Sequence, residues 1–177
     1  MKRSLASWAT LVAALLLTAC ATPRPAPGEL PWTSGRLSLR VQASPGQAAQ
    51  SLSAAFDLRG SGHLGELRLN SPLGTVMASA TWAPGMALLR TSEGEQTFTS
   101  LDQLSRQALG EALPLAALPD WLAGRPWPEA PHSMNHAGFD QLGWRIATDR
   151  FAEGLVTATR EAAPAVLLRV KLDAASH

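Results

Sequence analysis

The sequence predicts a mainly β domain with short helices, of the α+β kind. Three observations predict it. Apolar residues recur at every second position through most of the chain, as in strands with one face buried. Turn pairs such as Pro45-Gly46 and Pro84-Gly85 separate those stretches. Helical spacing appears only in the middle, between Ser100 and Gly124.

Residues 1–19 read as a secretion signal rather than as part of the fold. Lys2 and Arg3 form a positive n-region, and an apolar run from Leu5 to Leu17 follows, broken by Ser7, Trp8 and Thr10. That run is too short to span a bilayer comfortably, so cleavage is the better reading than a short transmembrane anchor. Cys20 is the only cysteine and cannot staple its own chain. Leu17-Thr18-Ala19-Cys20 resembles the bacterial lipobox, Leu-x-Ala-Cys. The resemblance implies that the thiol receives a diacylglycerol, that the peptide is cut before it, and that the new amine is acylated. No cofactor is expected beyond those covalent chains on Cys20. Ala21, where an aspartate would resemble an inner-membrane retention signal, favours the outer membrane.

Residues 20–31 are proline-rich and read as an extended lipidated tether, which leaves 32–177 as one folded domain. The chain holds 15 Lys and Arg against 14 Asp and Glu. Without Lys2 and Arg3 the balance is slightly acidic, with no run of like charge. That excludes the electrostatic footprint of a nucleic-acid binder and of a polybasic lipid anchor.

Strands are predicted in order. Leu37, Leu39 and Val41 alternate with Arg36, Ser38 and Arg40; Leu52, Ala54, Phe56 and Leu58 share one face; Leu67 and Leu69 share another. Val76, Ala78, Ala80 and Trp82 alternate with Thr75, Met77, Ser79 and Thr81. Met86–Thr91 and Gln96–Phe98 are shorter candidates. Trp144 and Ile146, then Leu155–Arg160, then Val166, Leu168, Val170 and Leu172 complete the series. One apolar face per strand means half-buried antiparallel pairing.

The helical insert begins at Ser100, with Gln103 completing a capping box. Leu101, Leu104, Ala108 and Leu109 follow at helical spacing, and Gly110 suits the C-terminal cap. A second helical stretch covers Leu115–Ala123, with Pro114 at its start and Pro119 splitting it into two short turns. Leu118, Trp121 and Leu122 form its apolar stripe. This insert is the natural cover for the sheet's apolar face.

The motifs of catalysis are missing. There is no Gly-x-Ser-x-Gly elbow and no HExxH, and the glycines form no phosphate loop. Ser61 beside His63 reads as a turn. His132 and His136 have metal-like spacing but lie in EAPHSMNHAG, which reads as a solvated loop without a third ligand. No metal site and no enzyme is expected. One loop stands out: Ser71-Pro72-Leu73-Gly74 places a leucine at a turn between two strands. Leu73 either folds back onto a neighbour or serves as a finger that touches a membrane or a partner.

The chain resembles the LolB family of outer-membrane lipoproteins. The resemblance rests on Gly35-Arg36-Leu37-Ser38-Leu39, on LRLNSPLG at 67–74, on PLAALPDWLAG at 114–124, and on Gly138-Phe139 with Gly143-Trp144. It implies an incomplete, strongly curved antiparallel β-barrel, covered by a helical lid that encloses an apolar cavity. It implies a monomeric receptor that takes acylated client lipoproteins from a periplasmic LolA-like carrier and inserts them into the outer membrane, touching its phospholipid. The leucine of the Pro-Leu-Gly tip is then Leu73, shaped by Pro72 and Gly74. Candidate cavity residues are Leu39, Phe56, Leu58, Leu69, Val76, Ala78 and Trp144 from the sheet, and Leu101, Leu104, Leu118 and Leu122 from the lid. Each of them fits ordinary core packing equally well, and a structural outer-membrane lipoprotein with a filled core and no client is the alternative. The alanine-rich segment from Ala152 onward departs from the family pattern.

Overall fold

A computed structural model describes residues 30–46 and 48–174. The signal segment, Cys20 and the tether up to position 29 lie outside the described residues, as does His177.

Eleven strands form a single antiparallel sheet. They are β1 (Thr33–Val41), β2 (Gln50–Gly60), β3 (Gly65–Asn70), β4 (Val76–Ala83), β5 (Met86–Thr91), β6 (Gly94–Phe98), β7 (His132–Asn135), β8 (Gly138–Gln141), β9 (Trp144–Ala147), β10 (Leu155–Arg160) and β11 (Val166–Leu172). Their order is β6-β5-β4-β3-β2-β1-β11-β10-β9-β8-β7. Two meanders therefore meet at a seam between β1 and β11, and β6 and β7 remain as open edges. At the seam Gly35 faces Leu172. A Cβ on Gly35 would lie 2.3 Å from the carbonyl oxygen of Lys171, so the close strand approach requires glycine there.

The helical insert joins one edge of the sheet to the other, so it must cross the concave side. It comprises α1 (Leu101–Leu109), a 3-10 turn (Leu115–Ala117) and α2 (Leu118–Leu122). Ser100 caps α1 by accepting from the Gln103 N–H at 3.2 Å. The Gln103 side chain returns one residue further than a standard capping box, accepting from the Thr99 N–H at 3.1 Å. Gly110 ends the helix at φ 69°. Pro119 lies in the first turn of α2, which explains the break after Ala117.

One buried cluster contains Ala87 from β5, Trp82 from β4, Phe56 from β2, Val170 from β11 and Phe139 from β8, together with Leu104, Leu113 and Trp121 of the insert. Strands that far apart share a core only if the sheet curls around the insert. The architecture is thus an unclosed, curved barrel with a helical lid, as the family resemblance implied.

The segment read as a solvated loop is different. His132–Asn135 pairs with Gly138–Gln141 as a hairpin at the sheet edge. Its turn is held by Asn135, whose Oδ1 accepts from the Ala137 and Gly138 N–H groups, both at 2.9 Å. The strand was hidden because an edge strand with His132, Ser133 and Met134 exposed buries no apolar face.

Candidate functional site

The concave face carries two rows of cross-strand neighbours. One runs Leu58, Leu67, Ala80, Leu89; the next runs Phe56, Leu69, Ala78, Thr91. Large side chains on β2 and β3 give way to alanines on β4. Ala108 faces them from α1. Small residues opposing one another leave space, and a groove of about 390 Å³ lies there between β2–β5 and α1. Leu52, Leu67, Leu69 and Leu89 line its floor, and Leu104, Leu109 and Leu115 line its roof. Its polar groups, among them Glu93, Gln96 and Gln107, give the lining a limited water-compatible part. Apolar walls with a few polar groups suit a hydrocarbon ligand.

A second hollow of about 510 Å³ lies toward the opposite end of the strands, among Trp82, Met86, Leu101, Leu113, Trp127, Trp144 and Arg160. Between the two, the Leu113–Leu115 segment fills the barrel. The gap it leaves against Leu39, Leu118, Trp121, Trp144 and Leu168 is only about 20 Å³, room for a single water or less.

Buried polar groups fix the lid. Gln141 is 2 % exposed. Its Oε1 accepts from the Trp121 indole N–H at 2.8 Å and the Trp127 N–H at 2.9 Å. Its Nε2 donates to the carbonyls of Trp127 (2.7 Å) and Ala130 (2.8 Å). Every hydrogen-bonding position of the amide that matters is filled, so α2 is pinned to β8 without an orphaned group. Ser105, fully buried in α1, accepts from the Leu113 N–H at 3.0 Å and sets the start of the segment that fills the barrel.

The Ser71–Thr75 tip joins β3 to β4 immediately beyond Leu69 and Ala78, which puts it at the groove's end. Ser71 organises it: its carbonyl accepts from the Gly74 N–H at 2.9 Å, and its hydroxyl accepts from the Leu73 and Thr75 N–H groups at 3.3 and 3.2 Å. Gly74 takes φ 81°, the left-handed region that favours glycine. Leu73 does not fold back; it is 94 % exposed.

The residues named from the sequence separate into groups. Leu69, Ala78 and Leu104 line the groove. Leu101 and Trp144 line the second hollow, while Leu39 and Leu118 border the small gap. Phe56, Leu58 and Leu122 are buried in the core and line none of these spaces. Val76 departs from its alternation with Ala78. The register shifts between Leu69 and Asn70, so Val76 pairs with Asn70. Asn70 reaches Asp57 on the outer face at 2.7 Å, and Val76 shares that face, 52 % exposed. Leu52, Leu67 and Ala80 were legible as inward positions but not as groove lining, and Leu89 lay in a candidate strand whose inner face the sequence did not assign. Gln141 carried no sequence signal beyond its place two residues after Phe139.

Where the first strand begins, Trp32 lies between two guanidiniums, 4.3 Å from Arg59 and 4.5 Å from Arg68. Glu66 joins them, at 2.7 Å from each. Burial pushes the Glu66 carboxyl up, but the hydrogen bonds from Arg59 and Arg68 outweigh it and hold the group below the usual carboxylate range. The Ser61–His63 pair is a turn: the Ser61 hydroxyl accepts from the His63 backbone N–H at 3.3 Å, and the imidazole faces Glu129.

A family model described as outer membrane lipoprotein LolB matches residues 32–172. The outer-membrane lipoprotein LolB of Bordetella pertussis is 31 % identical over 175 residues, covering 90 % of this chain and 87 % of the relative. The LolB of Chromobacterium violaceum is 33 % identical over 150 residues, covering 79 % of this chain and 80 % of the relative. That of Ralstonia nicotianae is 33 % identical over 161 residues, with 81 % and 76 % covered.

Proposed function

Because the chain belongs to the LolB family of outer-membrane lipoproteins, we propose that it takes acylated lipoproteins from a periplasmic carrier and passes them into the outer membrane. It acts as a monomer held by acyl chains on Cys20, with residues 20–31 as tether and the domain from 32 onward as receptor. Stable anchoring needs two or more chains, which a triacylated cysteine supplies.

The observation that carries the reading is the groove under α1, whose lining residues Leu69 and Ala78 flank the Leu73 tip. A methylene is about the size of a water, so at roughly 30 Å³ each a 390 Å³ groove takes about a dozen of them, most of one fatty chain. Each methylene kept from water is worth about 0.8 kcal/mol. A client with several chains is insoluble in the periplasm unless apolar surface is offered at each stage. Transfer needs no ATP and no covalent chemistry if affinity rises from carrier to receptor to bilayer. Leu73, clear of the domain and at the groove's end, is the part that touches phospholipid while a chain leaves.

The test is a transfer assay with a fluorescent triacylated peptide preloaded on the carrier. The peptide is expected to move to the receptor, then into vesicles, without nucleotide. A receptor that takes no peptide from the carrier, and binds none added directly, overturns the reading.

A further inference from the structure

The outer face of the seam carries Arg36, Arg40, Arg169 and Lys171, and of these only Lys171, whose ammonium donates to the Glu153 carbonyl beside the Glu153 carboxylate, has a partner among the described residues. Arg36 and Arg40 on β1 are exposed, as are Arg169 and Lys171 on β11. Arg36 sits directly opposite Lys171, and Arg169 opposite Ser38. Like charges facing each other across an antiparallel pair cost stability. Among the described residues Arg36, Arg40 and Arg169 have no ion-pair or hydrogen-bond partner. Several other surface arginines do: Arg90 pairs with Glu95, Arg150 with Glu153, and Arg145 lies near Asp140 and Glu161, whereas the Arg106 side chain on α1 is likewise unpaired among the described residues. A shallow dish of about 550 Å³ runs along this seam, and Asp149 is the only carboxylate among its lining residues.

The seam adjoins the finger. Arg36 pairs with Ala55 on β2, and Ala55 pairs with Asn70, the last residue before the tip. Two strand spacings, about 10 Å, therefore separate β1 from the strand that bears the loop. Val76 and Met77, 52 % and 41 % exposed, extend the apolar part of the tip. Trp32, where the chain enters from the N-terminal side, stacks on Arg59 and Arg68 of the same convex sheet face.

We infer that this convex face is a bilayer-docking surface: the seam arginines take the phosphates of anionic phospholipid headgroups while Leu73 enters the acyl region. The inference rests on the receptor reading for the bilayer's presence, and it adds a lipid class and a side of the barrel. Cationic groups at an anionic surface each add roughly fivefold to partitioning, and the effect fades with salt because the distances are within a Debye length. The chain's net charge of +1 does not reveal the patch, since the acids of the same face are engaged by other groups: Glu66 by Arg59 and Arg68, and Asp57 by Ser34 and Asn70.

The experiment uses full-length acylated protein in vesicles of phosphatidylcholine alone or with phosphatidylglycerol. Ser53 is exposed on β2 and faces Ser38 across the strands, between the seam and the finger. In an S53C protein, modification of that site by a charged maleimide reports whether the face is covered. Slower modification on the anionic vesicles, reversed by salt, is expected. The double variant R36Q/R169Q should lose about 25-fold of that docking equilibrium, at fivefold for each arginine, while R90Q should lose none. Equal modification rates on the two vesicle types overturn the inference, and protection that appears only when an acidic protein is added overturns it too. Peptide uptake is measured in parallel. A protein that docks but takes no acyl peptide removes the receptor reading and keeps the surface; one that takes peptide without docking does the reverse.

Discussion

Replacing Leu73 with Glu separates folding from delivery. The side chain is 94 % exposed, and the turn is held by the backbone and hydroxyl of Ser71, neither of which the substitution touches. Stability should change by no more than about 0.5 kcal/mol, the usual range for surface sites. For a domain of this size that is at most about 2 °C in Tm. At the membrane the arithmetic differs. Burying a leucine side chain is worth about 2 kcal/mol, and a carboxylate in its place adds a desolvation cost of its own. Losing 2 kcal/mol alone slows insertion by about 30-fold. Lipopeptide uptake by the purified variant should match the parent, while transfer into vesicles should fall by at least that factor. Parental transfer rates would refute the finger. A Tm drop of many degrees would show instead that Leu73 supports the fold.

Gln141→Leu should cost about 2 kcal/mol or more, because the Trp121 indole and the Trp127 N–H lose their acceptor inside the protein; urea denaturation reads this, and an unchanged midpoint contradicts the pinning of α2. Leu142 occupies φ 55° in the two-residue turn between β8 and β9, a region where leucine is strained by about 1 kcal/mol. Leu142→Asn should therefore stabilise by about that amount in thermal melts, and a destabilised variant counts against strain at this turn. Glu66 is held below the usual carboxylate range in the folded protein, so its contribution to stability is present at neutral pH and is lost as pH falls through the folded value. Between about pH 6 and pH 3 the parent's urea midpoint should fall more steeply than that of Glu66→Gln; parallel curves would show that the Trp32 cluster does not depend on this carboxylate.

Periodicity made most of the fold legible because most strands bury one face. Leu37, Leu39 and Val41 alternate cleanly since β1 lies at the centre of the sheet, covered on one side only. His132–Asn135 was illegible because this strand, with His132, Ser133 and Met134 all exposed, buries no apolar face to mark it. The helices were legible through their ends, Ser100 with Gln103, Gly110, and Pro119, whose backbone demands are local. The site was legible in part. Alternation assigns Leu69 and Ala78 to the inner face but cannot say whether an inward residue meets another side chain or empty space. That depends on what opposes it: Ala78 faces α1 across a gap, whereas Phe56 meets packed neighbours. Val76 failed for a different reason, since a one-residue register shift turns everything beyond it to the other face. Gln141 could not be anticipated because its four hydrogen bonds go to Trp121, Trp127 and Ala130, on a stretch that only the fold brings against β8.

A receptor for acylated clients must receive hydrocarbon in the groove between β2–β5 and α1. The most direct measurement is a structure of the full-length protein with a triacylated peptide bound. A fatty chain lying along Leu67, Leu69 and Leu89, beneath Leu104 and Leu109, is the predicted result. A bound peptide whose chains all lie outside the barrel, with Leu69 and Ala78 untouched, would contradict it.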